Sequence, residues 1–126
     1  YSSPFPAKLE HGQTIIIKGS TFANASDSWI NLQSGTETTK NSVKNKEDIQ
    51  FHVSFRIWQG VVVLGTLTKG KWSEGERKLN PLKRGSSFDI RIRVVNDFYQ
   101  VFFNKKIFYG YKSRMSFKRA SHLFIY

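Results

Sequence analysis

Residues 87–95, SFDIRIRVV, alternate without a break, with Phe88, Ile90, Ile92 and Val94 on one side and Asp89, Arg91, Arg93 and Val95 on the other. Successive side chains of a strand point to opposite faces, so such a run buries one face and wets the other. The same period of two recurs along the chain. At 14–18 Thr14, Ile16 and Lys18 alternate with Ile15 and Ile17; at 29–33 Ile30 and Leu32 alternate with Trp29, Asn31 and Gln33. At 48–56 Phe51, Val53 and Phe55 alternate with His52, Ser54 and Arg56, and further strands are expected at 61–69, 99–103, 107–111 and 123–126. Gln59-Gly60 and Asn104-Lys105 are short enough to close antiparallel hairpins. No apolar stripe of helical period is present. Many short strands between turn signals predict an all-β sandwich or barrel.

Length and composition narrow the function classes. A chain of 126 residues is one domain, 1–126, large enough to bury a core. It has no cysteine, hence no disulfide framework, thiolate metal site or Cys nucleophile. No apolar run is long enough to span a bilayer. Twenty Lys and Arg against nine Asp and Glu give a net charge of +11, which raises affinity for any polyanion. The basic residues are scattered, among them Lys40, Lys44, Lys46, Arg91 and Arg93, and form no long run, so nucleic acid is not the expected partner. Asn24-Ala25-Ser26 is a glycosylation sequon in form. No paired carboxylates, metal-ligand spacing or nucleophile–base pair suggests an enzyme, a metal or a cofactor.

Residues 51–77 concentrate the polar groups that point to a ligand. His52, Ser54 and Arg56 form a hydrogen-bonding row on the face opposite the expected core, a neighbouring strand follows, and Trp72 and Arg77 come next. A polar row beside one aromatic ring suits a polyhydroxylated molecule. Trp58 falls in a turn and receives no role.

In order and spacing these residues resemble the galectins, the β-galactoside-binding lectins, over nearly the whole chain. The matching stretches are Pro4-Phe5-Pro6-Ala7, the Gly-x-x-Ile-x-Ile-x-Gly segment at 12–19, Trp29-Ile30-Asn31-Leu32 and Asp48-Ile49-Gln50-Phe51-His52. Later come Gly70-Lys71-Trp72, Glu76-Arg77, Tyr99-Gln100-Val101, Asn104 and Tyr111-Lys112-Ser113-Arg114. The resemblance implies a galectin-like jelly-roll β-sandwich of two antiparallel sheets with sugar bound on a concave sheet face. It also implies a final strand beyond Tyr126, so the chain is expected to lack that strand and to be one module of a longer protein. Cytosolic synthesis, and secretion without a signal peptide, are implied likewise.

Carried over position by position, the carbohydrate-binding residues are His52, Ser54, Arg56, Val63, Gly65, Trp72 and Arg77. His52 and Arg56 would contact the axial 4-hydroxyl of galactose, and Trp72 would stack on the sugar's apolar face. Trp29, Asn31 and Glu76 are candidates for an extended subsite; Trp29 is a second platform or else packs a dimer contact or loop. The chain departs from the family pattern where Ser54 and Gly65 replace amides and Gly75 replaces a carboxylate flanked by Glu74 and Glu76. Three lost polar contacts weaken binding by about 2–5 kcal/mol in sum. Restoring Asn at 65 and Glu at 75 is therefore expected to strengthen lactose binding. Without that carboxylate, Arg56 and Arg77 would welcome an anionic ligand.

Two function classes stay open. One is a divergent lectin domain for galactose-bearing glycans and glycoproteins, with weakened lactose affinity or a preference for sulfated or sialylated glycans. The other is a galectin-fold protein-interaction or self-association module without sugar binding. A homodimer or a tandem-domain partner fits either.

Overall fold

The computed structural model describes residues 2–5, 9–35 and 48–126. Pro6, Ala7 and residues 36–47 of the expected polar connection, with Lys40, Lys44 and Lys46, lie outside the described residues. The strands are β1 (Ser2–Pro4), β2 (Thr14–Ser20), β3 (Ser28–Gln33), β4 (Ile49–Arg56), β5 (Val61–Thr68) and β6 (Lys71–Trp72). They continue as β7 (Glu76–Leu79), β8 (Ser87–Val95), β9 (Phe98–Phe103), β10 (Lys106–Lys112) and β11 (His122–Ile125). One antiparallel sheet runs β1-β11-β3-β4-β5-β6, with β7 also paired to β5; the other runs β10-β9-β8-β2.

Alternation builds the core between these sheets. Ile30 and Leu32 of β3, Phe51, Val53 and Phe55 of β4, and Ile90, Ile92 and Val94 of β8 are buried in one cluster. Phe51 stacks on Tyr99 of β9 with ring centroids 4.5 Å apart, and Tyr111 of β10 tilts against it at 5.0 Å. Aromatic pairing of this kind adds about 0.5–1.5 kcal/mol beyond the area buried. The Tyr111 hydroxyl meets Thr66 Oγ1 at 2.7 Å, so its polar end is not left unpaired in the apolar interior. Both hairpins expected from the sequence form. A 3-10 turn at Ile57–Gln59 and a left-handed Gly60 (φ 67°) join β4 to β5. Asn104 and Lys105 both take positive φ between β9 and β10, the conformation a two-residue hairpin loop needs.

β6 and β7 are not among the strands expected from the sequence. They are two pieces of one edge strand along β5, interrupted by a bulge. Trp72 stands opposite Leu67, but Glu76 stands opposite Leu64. Three residues, 73–75, thus face two, 65 and 66, and the pairing register slips by one. The bulge is held by the Ser73 N–H, which donates to Thr66 O at 2.8 Å, and by Ser73 Oγ, which accepts from Thr66 N–H at 3.0 Å.

Candidate functional site: a groove on the larger sheet

Cross-strand register places the candidate residues on one face. His52 pairs with Asn31 on one side and Gly65 on the other; Ser54 pairs with Trp29 and Val63; Val63 pairs in turn with Arg77. Opposed residues of a ladder share a face. His52, Arg56, Val63, Gly65, Trp72, Gly75 and Arg77, with Ser73 and Glu74, line one groove of about 560 Å³. Trp72 and Arg77 are five residues apart, which strict alternation would send to opposite faces. The bulge absorbs one residue and returns both to the groove. Trp72 is 50% exposed and its ring centroid lies 4.8 Å from that of His52, so an indole face is open beside an imidazole.

The imidazole is held in one state. His52 Nδ1 lies 2.5 Å from Asn31 Oδ1, and a carbonyl oxygen only accepts, so Nδ1 carries the proton and donates. Asn31 Nδ2 donates onward to Gln33 Oε1 at 3.4 Å. Burial, reinforced by the Arg56 charge, lowers the His52 pKa from 6.5 to about 4. At neutral pH the ring is uncharged and Nε2 keeps a lone pair able to accept from a hydroxyl.

The opposite wall is bare. A Cβ built on Gly65 would meet Ser73 Oγ at 3.6 Å and Trp72 Cε3 at 3.9 Å, ordinary contacts that leave room for a side chain. A Cβ on Gly75 would lie 2.8 Å from Val63 Cγ1, closer than such atoms come. A side chain at 75 thus requires the Val63 methyl to shift. The gain expected from Asn at 65 together with Glu at 75 therefore requires Val63 to give way. Glu74, the extra residue of the bulge, lines the groove. Neither Arg56 nor Arg77 forms an ion pair with a described residue.

The extended-subsite candidates separate. Glu76 is a correction: the register slip turns its carboxylate to the core side, where the Tyr109 hydroxyl donates to Oε1 and Arg114 Nη2 donates to Oε2 at 3.2 Å. Asn31 is on the groove face but 1% exposed, so it touches His52 rather than a ligand. Trp29 shares that face by register with Ser54, and its ring packs on Tyr126 with centroids 4.9 Å apart, outside the groove lining. Ser54 is 8% exposed and also outside the lining. Sequence reasoning missed the support role of Asn31. Its signal was a polar side chain directly across the ladder from the imidazole. On the other sheet, Arg91 is tied to Asp89 at 2.9 Å.

Comparison with known proteins agrees with this fold. A family model described as galactoside-binding lectin matches residues 1–126. The chain is 41% identical over 125 residues to a 32 kDa beta-galactoside-binding lectin of Caenorhabditis elegans, covering 99% of this chain and 43% of the relative. It is 30% identical to human galectin-4, covering 98% of this chain and 36% of that protein. The chain thus spans less than half the length of these relatives. Sheep galectin-11, solved with glycerol, superposes with a TM-score of 0.84 at 21% identity, covering 99% of this chain and 87% of the other. With a whole-length family match and two antiparallel sheets of this order, the chain belongs to the galactoside-binding lectins, the galectin family.

Proposed function

We propose that the groove binds galactose-containing glycans, with weakened affinity for simple β-galactosides and a preference for glycans carrying a sulfate or carboxylate. The observation that carries this reading is the convergence of four side chains on one open surface: the neutral His52, the half-exposed Trp72, and Arg56 and Arg77 without an acidic partner among the described residues. Each has a chemical task. The indole face takes the apolar C–H face of a hexose. Nε2 of His52 accepts from one hydroxyl while the Arg56 guanidinium donates to its oxygen, a pairing that fixes the hydroxyl's orientation. Arg77 with Arg56 presents fork-shaped donors that suit a sulfate or carboxylate better than a neutral hydroxyl. The lack of an amide at 54 and 65 and of a carboxylate at 75 fits a lower affinity for lactose, because hydroxyls there have fewer partners.

A glycan array with neutral, 3- and 6-sulfated and sialylated galactosides tests this, with Trp72→Ala as control. Binding to the acidic members above lactose, lost in the control, is expected. No signal on any galactoside overturns sugar recognition and leaves the fold as a protein-interaction or self-association module.

A further inference from the structure

The three most exposed large apolar side chains among the described residues are Leu79 (83%), Phe22 (80%) and Trp58 (76%). They sit on or at the edge of three different connections, yet the fold gathers them at one end of the sandwich. Leu79 ends β7 opposite Val61, the first residue of β5, and Trp58 lies in the 3-10 turn that leads into that strand. The Asn80 N–H donates to Gly60 O at 3.0 Å and ties these two connections together. The third is joined to them through Arg84. Its Nε donates to Ala25 O at 2.9 Å, its neighbour Gly85 donates to Phe22 O at 3.2 Å, and its guanidinium lies 4.3 Å over the Trp58 ring. Lys78, Lys83 and Arg84 are exposed around them, and Asp27 is the one acidic residue on the connections 21–27, 57–60 and 79–86.

Single apolar residues on a surface need no explanation, but a cluster fixed in place by backbone hydrogen bonds does. Phe22 borders a cavity of about 300 Å³ that Ala25, Ile57 and Leu82 also line, whereas Trp58 and Leu79 stand outside it and protrude. A fluid interface receives protruding tips without a complementary shape. Indole rings favour the boundary between headgroups and acyl chains. Guanidinium groups pair with phosphates, and basic side chains are drawn to anionic lipid. The net charge of +11 acts in the same direction.

We propose that this end of the sandwich docks on an anionic lipid bilayer, with Phe22, Trp58 and Leu79 entering the interface and Lys83 and Arg84 meeting lipid phosphates. None of the five lines the sugar groove, and Leu79 stands beside it, on the face that Val61 shares with Arg56. The test is cosedimentation with glycan-free phosphatidylcholine vesicles, with and without phosphatidylserine. Binding to the serine-lipid vesicles is expected, weakened by salt and unaffected by lactose. Brominated lipid should quench part of the tryptophan emission, and Trp58→Phe should remove that part. The double variant Phe22→Ser with Trp58→Ser should lower partitioning about tenfold or more, given the apolar area withdrawn. Its melting temperature and its elution on the array's best glycan serve as controls for folding. Equal binding by the double variant, which would mean adsorption by diffuse charge alone, overturns the proposal. So does indifference to the vesicles, which would leave a protein as the occupant of this end.

Discussion

The two walls of the groove are built on different rules. The β4 wall is over-determined: His52 is fixed by Asn31, Asn31 by Gln33, and Phe51, Val53 and Phe55 of the strand beneath are buried in the core. The β5–β7 wall is bare, with glycine at 65 and at 75 and Val63 filling the space beside Gly75. The difference teaches that the groups orienting a hydroxyl are kept where a buried network supports them. On the edge, positions 65 and 75 carry no side chain that could do the same.

Acid should produce the largest effect, and on the supported wall. The His52 pKa in the fold is near 4 against an ordinary 6.5. As pH falls from 6.5 the unfolded chain takes up the proton first, so the folded state loses relative stability until pH 4. The contribution is present in full above pH 6.5, and the loss amounts to about 3 kcal/mol at the lower end. Denaturant melts across that range check it, and a flat profile would break the contrast. Sugar affinity should stay level down to pH 5 and fall near 4, where Nε2 no longer accepts.

A smaller effect is expected from Asn31→Ala, which removes the acceptor for the Nδ1 proton without touching the ligand. Affinity should drop about tenfold, the scale of one buried hydrogen bond of about 1–1.5 kcal/mol. The pH at which binding fails should move as well, a readout that mere loss of packing would leave in place. Calorimetry at two pH values separates the cases.

The bare wall should respond least, and in the opposite direction. Gly65→Asn fits the space present and should improve lactose binding by about fivefold, one added hydrogen bond. Gly75→Glu should give no gain by itself, because Val63 Cγ1 stands 2.8 Å from its Cβ. Combined with Val63→Ala it should. Titration of the three variants orders them, and equal gains from Gly75→Glu with and without Val63→Ala would refute the steric account.

Much of this was legible in the chain, for a physical reason. Residues 87–95 form β8 with the expected bounds, because a half-buried strand writes its burial directly into its polarity. The hairpin at Asn104-Lys105 could be read for the same reason, since its turn residues carry the backbone requirement themselves. β1 and β7 could not. Ser2–Pro4 owes its strand form to β11, and Glu76–Leu79, three of its four residues exposed, owes it to β5, so neither carries a pattern of its own. In the groove, His52 and Arg56 could be placed on one face by counting. Trp72 and Arg77 could not, because the slip at 73–75 breaks the count, and the same slip misassigned Glu76. Asn31 was read as a ligand contact because nothing in a sequence distinguishes a polar residue at the surface from one beneath it.

That slip is one inserted residue, and its consequence shows on removal. Losing one codon at 73–75 would leave two residues facing two, so Glu76 would stay opposite Leu64, and Trp72 and Arg77, then four apart, would share the groove face by plain alternation. What the deletion would take away is the extra residue and the local bend that a bulge imposes. Variants of this loop that are shorter by one should therefore keep the same residues in the groove.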